Sequence, residues 1–415
     1  MKKSNLFSKL PIILFILTTT IFITFQATYL SVTHTWKSKV SDMIKTDRTT
    51  ISESISELDS VVSQNSVSKY DTATLVNGAL NGYLSGTNDR FSQFLTPEMY
   101  KDYQIGSSHV TSTGIGISAL WDNTNDGIYI VNAYPNSPAE KAGIVPGDVI
   151  THVNNKSVIE SGFYGAMLQI GSGKADTTLN LTVRRVNGTT ENISPVRAVV
   201  KVTPISGKIS QTNRKVGIIR IEQFSDTALA DFQSALEELI SRGAERFVID
   251  IRNNSGSNIE SISRVLDFLL PEGILMTSTD KDGVSHTYKS DINAFVLPTV
   301  VLVNNNTIFG SELFAAAMRE LGNAPIVGEK TYGKVQSQEI FPLSDKSAVS
   351  ISTLTYTTSL GNNLDVVGVV PDYSVIMSSS TLGNLAIPAK EPDDAPLLRA
   401  IEAVLAIDSD ATPNT

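Results

Sequence analysis

Residues 245–270 read ERFVIDIRNNSGSNIESISRVLDFLL. Their first part, ERFVIDIR, is the apolar run expected of a buried strand, and the apolar residues from position 259 onward recur at helical spacing. A similar succession of strand and helix precedes this stretch at 215–243 and follows it at 298–321. Buried strands that alternate with helices favour an α/β core in which helices cover a sheet.

The chain outside this core shows other patterns of apolar and polar residues. Between 106 and 203, short alternating apolar runs are separated by Gly, Asn and Asp, which predicts a small, mainly β domain. Upstream, Ile51, Ile55 and Leu58 follow a helical period. The expected division is an n-region with a membrane anchor (1–34), a helical stalk (35–105), the β domain (106–203), the α/β core (204–375), and a closing helix with a tail (376–415).

Composition excludes several classes of function. The chain has 415 residues, a formal net charge of −9 and no cysteine. The acidic balance argues against nucleic acid as a partner, and the lack of cysteine excludes disulfides and thiol catalysis. The histidines are scattered without ligand spacing, and GSGKA at 171–175 lacks residues that a phosphate loop needs. We expect neither a metal nor a cofactor.

The N-terminus suggests a membrane location. Lys2, Lys3 and Lys9 precede an uncharged stretch at 10–30 that, as a helix, would cover most of a hydrocarbon core about 30 Å thick. Positive charge on the N-terminal side favours leaving that end in the cytoplasm. This pattern predicts a single-pass protein of the cell membrane with its bulk on the extracytoplasmic side; a cleaved signal peptide is the alternative.

The β domain carries a peptide-binding signature. STGIGISAL at 112–120 and NSPAEKAGIVPGD at 136–148 resemble a PDZ domain. The resemblance implies that the loop formed by Gly114, Ile115, Gly116 and Ile117 binds the terminal carboxylate of a peptide. Glycines at these positions allow backbone amides to point into one anion-binding concavity, and the peptide would add as a β-strand to the neighbouring edge. Protein C-terminal peptides are the expected partners.

A wider resemblance spans most of the chain. Four stretches resemble conserved motifs of the C-terminal processing peptidases and occur in the same order. They are 75–104, 245–257, 326–338 and 366–372, of which the last reads VVGVVPD. Members of that family are serine proteases with a Ser-Lys dyad, a PDZ domain and a crotonase-like α/β core. The resemblance therefore implies a crotonase-like core with an inserted PDZ domain and an N-terminal helical segment.

The resemblance also implies where a catalytic site would be. It assigns the dyad lysine to Lys334, the glutamine that helps to hold it to Gln338, and the oxyanion turn to Gly256. In NNNTIFGSELFAAAM at 304–318, the position of the nucleophile is taken by Phe309. A phenyl ring can neither attack a carbonyl nor give up a proton. Ser257 is a second departure, because the family has glycine there.

Two functions follow from these departures. The first is a pseudoprotease that binds protein C-termini through its PDZ domain, with a homodimer or an active paralogue left open as its partner. The alternative is an active serine endopeptidase that cleaves near protein C-termini and uses Ser311 with Lys334. Ser311 is two residues from the nucleophile position, and we expect it instead to cap a helix that begins at Glu312.

Overall fold

The computed structural model describes residues 50–108, 113–122, 126–171, 173–200, 203–256, 258–376 and 390–407, together with residues 26 and 28. The chain divides into two units, Met1–Leu75 and Val76–Thr415. In the first unit, helix α1 spans residues 50–65, where the spacing of apolar residues predicts a helix. Its apolar side chains Ile51, Ile55, Leu58 and Val61 are exposed, and Val62 is half-buried.

The expected localisation in the cell membrane as a single-pass protein is contradicted. Among the described residues, no helix is both long and apolar enough to cross a bilayer. A spanning helix needs about 20 predominantly apolar residues, whereas α1 carries Glu53, Glu57 and Asp59. The uncharged stretch at 10–30, which motivated the expectation, lies outside the described residues except at positions 26 and 28.

A short helical segment leads into the β domain. It consists of α2 (Thr72–Ser85), β1 (Gln93–Leu95) and α3 (Pro97–Ser108). Thr96 precedes α3, and its hydroxyl accepts the N–H of Met99 at 3.3 Å. Thr96 and Pro97 therefore open this helix as a cap and a first turn.

The β domain is an antiparallel sheet closed by one longer helix. Its elements are β2 (Thr113–Gly114), β3 (Ile117–Asp122), β4 (Gly127–Ala133), α4 (Pro138–Lys141), β5 (Val149–Val153), β6 (Lys156–Ser157), α5 (Val158–Gly171), β7 (Leu181–Arg184), β8 (Thr190–Ile193) and β9 (Ala198–Val199). The strand order is β3-β4-β5-β7-β8, with β6 beside β5, and β2 pairs with β9. Ile128, Ile150 and Val183 are fully buried against Ala166 and Ile170 of α5. In β7, the buried Leu181 and Val183 alternate with partly exposed residues, which is the period of a half-buried strand.

Helix α5 is broken near its start. Gly162 has φ 66° and ψ 168°, outside the helical region. A Cβ at Gly162 would lie 2.7 Å from the sulfur of Met99 in α3. The break therefore occurs where α3 packs most closely on α5, at a position where only glycine fits. The sequence predicts a helix here from Ser161 to Ile170 and gives no sign of the break.

The α/β core is built on a largely parallel sheet. Its elements are β10 (Ile205–Ile209), β11 (Val216–Ile221), α6 (Ala228–Ser241), β12 (Arg246–Asp250), α7 (Ile259–Leu269), β13 (Gly273–Asp280), β14 (Ser285–Ser290), β15 (Thr299–Val303), α8 (Gly310–Glu320), β16 (Ile326–Gly328), β17 (Gln336–Pro342), β18 (Ala348–Thr358), β19 (Tyr373–Ser374), a 3-10 turn (Glu391–Asp393) and α9 (Ala395–Leu405). The sheet order is β10-β11-β12-β15-β16-β19. Every pair is parallel except β10 with β11.

Helices cover both faces of this sheet, because successive side chains of a strand point to opposite faces. Ile249 and Val301 face a core made with α6, α7 and α8. Val248 and Val300 face the opposite way, against Leu397 and its neighbours in α9. The strands are buried on both faces, which explains why the sequence shows continuous apolar runs there.

A second, antiparallel sheet runs in the order β1-β18-β13-β14, with β17 also paired to β18. The β domain contacts the core near the turn that follows β15. The Tyr129 hydroxyl, in β4, donates to Asn306 Oδ1 at 2.5 Å. The Asn132 amide, also in β4, donates to Glu222 Oε2 at 2.8 Å. Thus β4 is hydrogen-bonded both to the turn after β15 and to the end of β11.

Phe314 tests whether the helix-on-sheet core carries the stability of this fold. Its ring is fully buried in α8 and lies 5.3 Å from the ring centre of Phe224. We expect Phe314→Ala to lower the free energy of unfolding by about 3–5 kcal/mol, because it removes apolar contacts and leaves a cavity. Val284→Ala, at an exposed position, should change it by less than about 0.5 kcal/mol. Equal effects in urea titrations would contradict this packing.

Candidate active site

Phe309 occupies a strained turn between strand and helix. Strand β15 ends at Val303, helix α8 begins at Gly310, and Phe309 between them has φ 51° and ψ −118°. A bulky residue with positive φ is an outlier, and such strain costs about 1–3 kcal/mol. A sharp strand-to-helix turn of this kind presents the nucleophile in α/β-hydrolases. Here the turn presents a phenyl ring.

The turn is fastened by the buried carboxylate of Glu312. Within the described part of the chain, donors from two segments converge on its oxygens. They are the N–H of Phe309 at 3.0 Å, the hydroxyl of Thr331 at 2.5 Å, the N–H of Gly333 at 2.7 Å and the N–H of Lys334 at 2.9 Å. Glu312 therefore joins the start of α8 to the loop that carries the lysine.

The protonation of Glu312 reflects a competition. Burial favours the neutral acid and is the larger effect, while the hydrogen bonds from Thr331 and the three N–H groups favour the anion. The net result raises the pKa of Glu312 to about 7. The carboxyl group thus titrates close to neutral pH although it is fully buried.

Gly256 packs directly on the turn that contains Phe309. It has φ 58°, and a Cβ there would lie 2.1 Å from the backbone nitrogen of Ser311. Reciprocally, a Cβ on Gly310 would lie 2.4 Å from the carbonyl oxygen of Gly256. The N–H of Gly256 donates to Asn254 Oδ1 at 2.9 Å, so it could serve an oxyanion only by exchanging that bond. Ser257 lies outside the described residues.

Lys334 and Gln338, which the sequence assigns to one site, lie together. The Lys334 ammonium donates to Gln338 Oε1 at 3.4 Å and lies 4.2 Å from the ring centre of Phe91. The Gln338 amide in turn donates to the carbonyl of Phe91. The lysine is thereby held between a glutamine and an aromatic face, a cation–π arrangement.

Ser311 is not the helix cap that the sequence predicts. The cap position belongs to Phe309, and Ser311 is the second residue inside α8. Its side chain is 0% exposed, and its hydroxyl oxygen finds no hydrogen-bond partner among the described residues. The prediction failed because Glu312 reaches back to the N–H of Phe309, which moves the start of the helix two residues upstream.

The PDZ-like loop contains a glycine whose backbone lies in the left-handed region. Gly116 has φ 76°, and a Cβ there would lie 2.5 Å from that of Ser137. The flanking carbonyls are used to hold the loop: that of Ile115 accepts the N–H of Ala139, and that of Gly116 accepts the N–H of Tyr134. Gly114 ends β2, and Ile117 begins β3. In the described part of the chain β3 pairs with β4 alone, so its other edge can accept an added strand.

Sequence reasoning missed the residue that organises the site. Glu312 received no role, because the sequence signature of a capping box needs Ser or Thr at the cap position, where this chain has Phe309. Phe91 and Tyr356 were also missed. Tyr356 lies in β18, and its ring meets that of Phe309 edge-to-face at 5.5 Å. No sequence signal joins these positions, because the fold alone brings them together.

Comparisons with known proteins agree with this geometry. Residues 215–375 match peptidase family S41, and residues 129–185 match the PDZ domain. The chain is 32% identical to the chloroplastic carboxyl-terminal-processing peptidase 2 of Arabidopsis thaliana, over 71% of this chain and 59% of that protein. It is 30% identical to a carboxyl-terminal-processing protease of Picosynechococcus sp., over 71% of each.

A solved structure gives the same result for the fold. The photosystem II D1 C-terminal processing protease superposes with a TM-score of 0.62 at 25% identity, covering 81% of this chain and 92% of that one. The chain therefore belongs to the carboxyl-terminal processing proteases of peptidase family S41. The expected fold class, a crotonase-like α/β core with an inserted PDZ domain, is confirmed. A PDZ domain in this family fits the binding of protein C-termini.

The raised pKa of Glu312 predicts a pH-dependent stability. Between about pH 4.5 and about pH 7 the folded chain holds a proton that the unfolded chain has released. The free energy of unfolding should therefore fall as the pH rises through this window, by up to about 1.4 kcal/mol per pH unit from this group. Glu312→Gln cannot ionise and should lose that slope.

The control is Glu339→Gln, at an exposed position, which should keep the parent slope. Glu312→Gln should also be less stable by about 1–3 kcal/mol, because its NH₂ would face N–H donors. Urea unfolding followed by circular dichroism across this window measures both quantities. Identical slopes in the parent and Glu312→Gln would show that this carboxyl does not titrate as described.

Proposed function

We propose that this chain is a pseudoprotease, a member of its family that binds protein C-termini through its PDZ domain without cleaving them. The observation that carries the proposal is Phe309 on the strained turn after β15, where φ is 51°. The turn keeps the geometry that presents a nucleophile. Its side chain has no atom that can form an acyl intermediate.

The residues around Phe309 support a site that keeps the family's backbone arrangement but lacks a working Ser-Lys dyad. Lys334 and Gln338 remain hydrogen-bonded to each other, in the roles of the family's base and its helper. Gly256, proposed as the oxyanion turn, donates its N–H to Asn254 within its own turn. Losing a single oxyanion donor typically costs about 10²–10³-fold in rate. The site thus keeps Lys334 as the base and lacks, at position 309, the nucleophile from which the base would take a proton.

The burial of Ser311 argues against the alternative, a serine endopeptidase that uses Ser311 with Lys334. Its hydroxyl is inside α8 and covered. Gly256 also packs against the backbone nitrogen of Ser311. A substrate carbonyl would have to reach within about 3–3.5 Å of this oxygen in an aligned geometry. Such an approach would require α8 to unwind at its first turn.

Peptide binding is the activity that the intact parts support. Gly116, with positive φ, sets the loop of Gly114, Ile115, Gly116 and Ile117 so that amides can face a carboxylate. The edge of β3 beyond this loop offers main-chain groups to an extended peptide. Charge on the terminal carboxylate should contribute strongly, since hydrogen bonds to charged groups are worth about 1.5–3 kcal/mol.

Hydrolysis of unstructured protein substrates tests the absence of catalysis. We expect no turnover from the native chain and none from Ser311→Ala or Lys334→Ala. Phe309→Ser combined with Ser257→Gly reverses both departures from the family and is the variant in which turnover should first appear. Ser311→Ala should not lower stability, because it removes a buried hydroxyl without a partner.

The contradicting outcome is specific. Cleavage by the native chain that disappears in both Ser311→Ala and Lys334→Ala would make this chain an active endopeptidase with that pair. A catalytically active contaminant is distinguished because its cleavage would persist in both variants.

The PDZ assignment predicts selectivity for a free carboxylate. A peptide with an apolar C-terminal residue should bind the full chain at least several-fold more tightly as the acid than as the C-terminal amide. Gly116→Ala should abolish that difference, since its Cβ would clash with Ser137. Gly188→Ala, a positive-φ glycine with open space around it, serves as the control. Equal affinities of acid and amide in calorimetry would refute carboxylate recognition.

A further inference from the structure

An open depression of about 550 Å³ lies beside the phenyl ring of Phe309. Four parts of the core wall it: the loop between β11 and α6, the start of α7, the turn before α8, and the paired strands β17 and β18. Its lining residues are Gln223, Phe224, Ser225, Asp226, Asn258, Ile259, Glu260, Phe309, Ser337 and Tyr356. This volume is within the usual range of ligand sites, about 300–1,000 Å³.

The inner wall is aromatic. The rings of Phe309 and Tyr356 meet edge-to-face at 5.5 Å, and both rings line the depression. Ile259 adds aliphatic surface. An aromatic face carries negative electrostatic potential and attracts a cation that lies within about 6 Å of its centre. The wall therefore suits an aliphatic stem that ends in a positive charge.

The rim is acidic. Asp226 and Glu260 are exposed, and none of the lining residues given above is basic. One oxygen of Asp226 accepts the Asn258 amide at 3.0 Å. The nearby basic side chain of α7, Arg264, donates to Ser261 at 3.0 Å.

Helix dipoles only partly offset these charges. Asp226 lies just before α6 and Glu260 in the first turn of α7. The N-terminus of a helix is equivalent to about half a positive charge. Two such termini offset about one of the two carboxylate charges. The rim therefore keeps a net negative charge of about one unit.

We propose that this depression binds one arginine or lysine side chain of the polypeptide held by the chain. The alkyl stem lies against Ile259, Phe309 and Tyr356, and the cationic head faces Asp226 and Glu260. The inference rests on the proposed function, in which a bound polypeptide is retained uncut. It adds a chemical preference: tails that carry a basic residue upstream of their free end are selected.

The test uses two matched peptides of about a dozen residues with the same free apolar C-terminus. One carries arginine at every third upstream position, and the other carries citrulline, which is close to arginine in shape but neutral. Binding to the full-length chain is measured by calorimetry. We expect the arginine peptide to bind at least about fivefold more tightly, from cation–π and carboxylate contacts together.

Variants separate this site from the net charge of −9. Asp226→Asn with Glu260→Gln should reduce the arginine preference to less than about twofold. Glu245→Gln with Asp282→Asn removes the same charge at two exposed carboxylates elsewhere, and should leave the preference intact. Asp226→Asn alone, which keeps the hydrogen-bonding oxygen, should give an intermediate value.

Three results would overturn the inference: no arginine preference in the native chain, an unchanged preference in the Asp226/Glu260 variant, or an equal loss in the Glu245/Asp282 control. Comparing acid and amide forms of the same peptides separates this failure from failure of the proposed function. A retained acid preference without an arginine preference removes only the inference. Cleavage of either peptide by the native chain removes the proposed function.

Discussion

The buried carboxylate of Glu312 is the interaction on which the rest of the site depends. It lies in the first turn of α8 and binds the N–H of Phe309 on one side and the N–H groups of Gly333 and Lys334 on the other. It adds to the backbone hydrogen bond from the N–H of Tyr332 to the carbonyl of Thr307 at 3.1 Å, and together these contacts join two segments that are distant in sequence. Because the group is fully buried, each lost hydrogen bond would leave an unpaired donor at a cost of about 1–3 kcal/mol.

The hydrogen bonds of Glu312 hold the backbone of the site, whereas the chemistry of a peptidase would depend on the side chain at position 309. The strained backbone at Phe309, the close contact of Gly256 with Gly310, and the backbone of Lys334 all lie around Glu312. These contacts are made by backbone atoms and by the Glu312 carboxylate, and none of them by the side chain at position 309. A phenylalanine can therefore occupy the turn, where its ring packs against Tyr356. The ring also lines the depression that has Asp226 and Glu260 as its exposed carboxylates.

The sequence predicts the parts that follow local periodicity. Apolar runs at 215–221, 245–252 and 298–304 indicate buried strands, and those strands form the parallel sheet. Features that depend on tertiary contacts cannot be predicted from local periodicity. The break at Gly162 comes from the packing of α3, and the true start of α8 comes from a capping carboxylate. The uncharged stretch at 10–30 and the lysines before it predict a membrane location, and the finding that no described helix is long and apolar enough to cross a bilayer contradicts it.

The central claim is that no residue of this chain forms an acyl intermediate with a substrate. It is tested most directly by single-turnover incubation of the native chain, in excess, with an unstructured protein substrate, followed by denaturation and intact-mass spectrometry. The account predicts that the mass of the chain stays unchanged at every time point. A transient mass increase equal to a substrate fragment, mapped by peptide sequencing to Ser311, would contradict it.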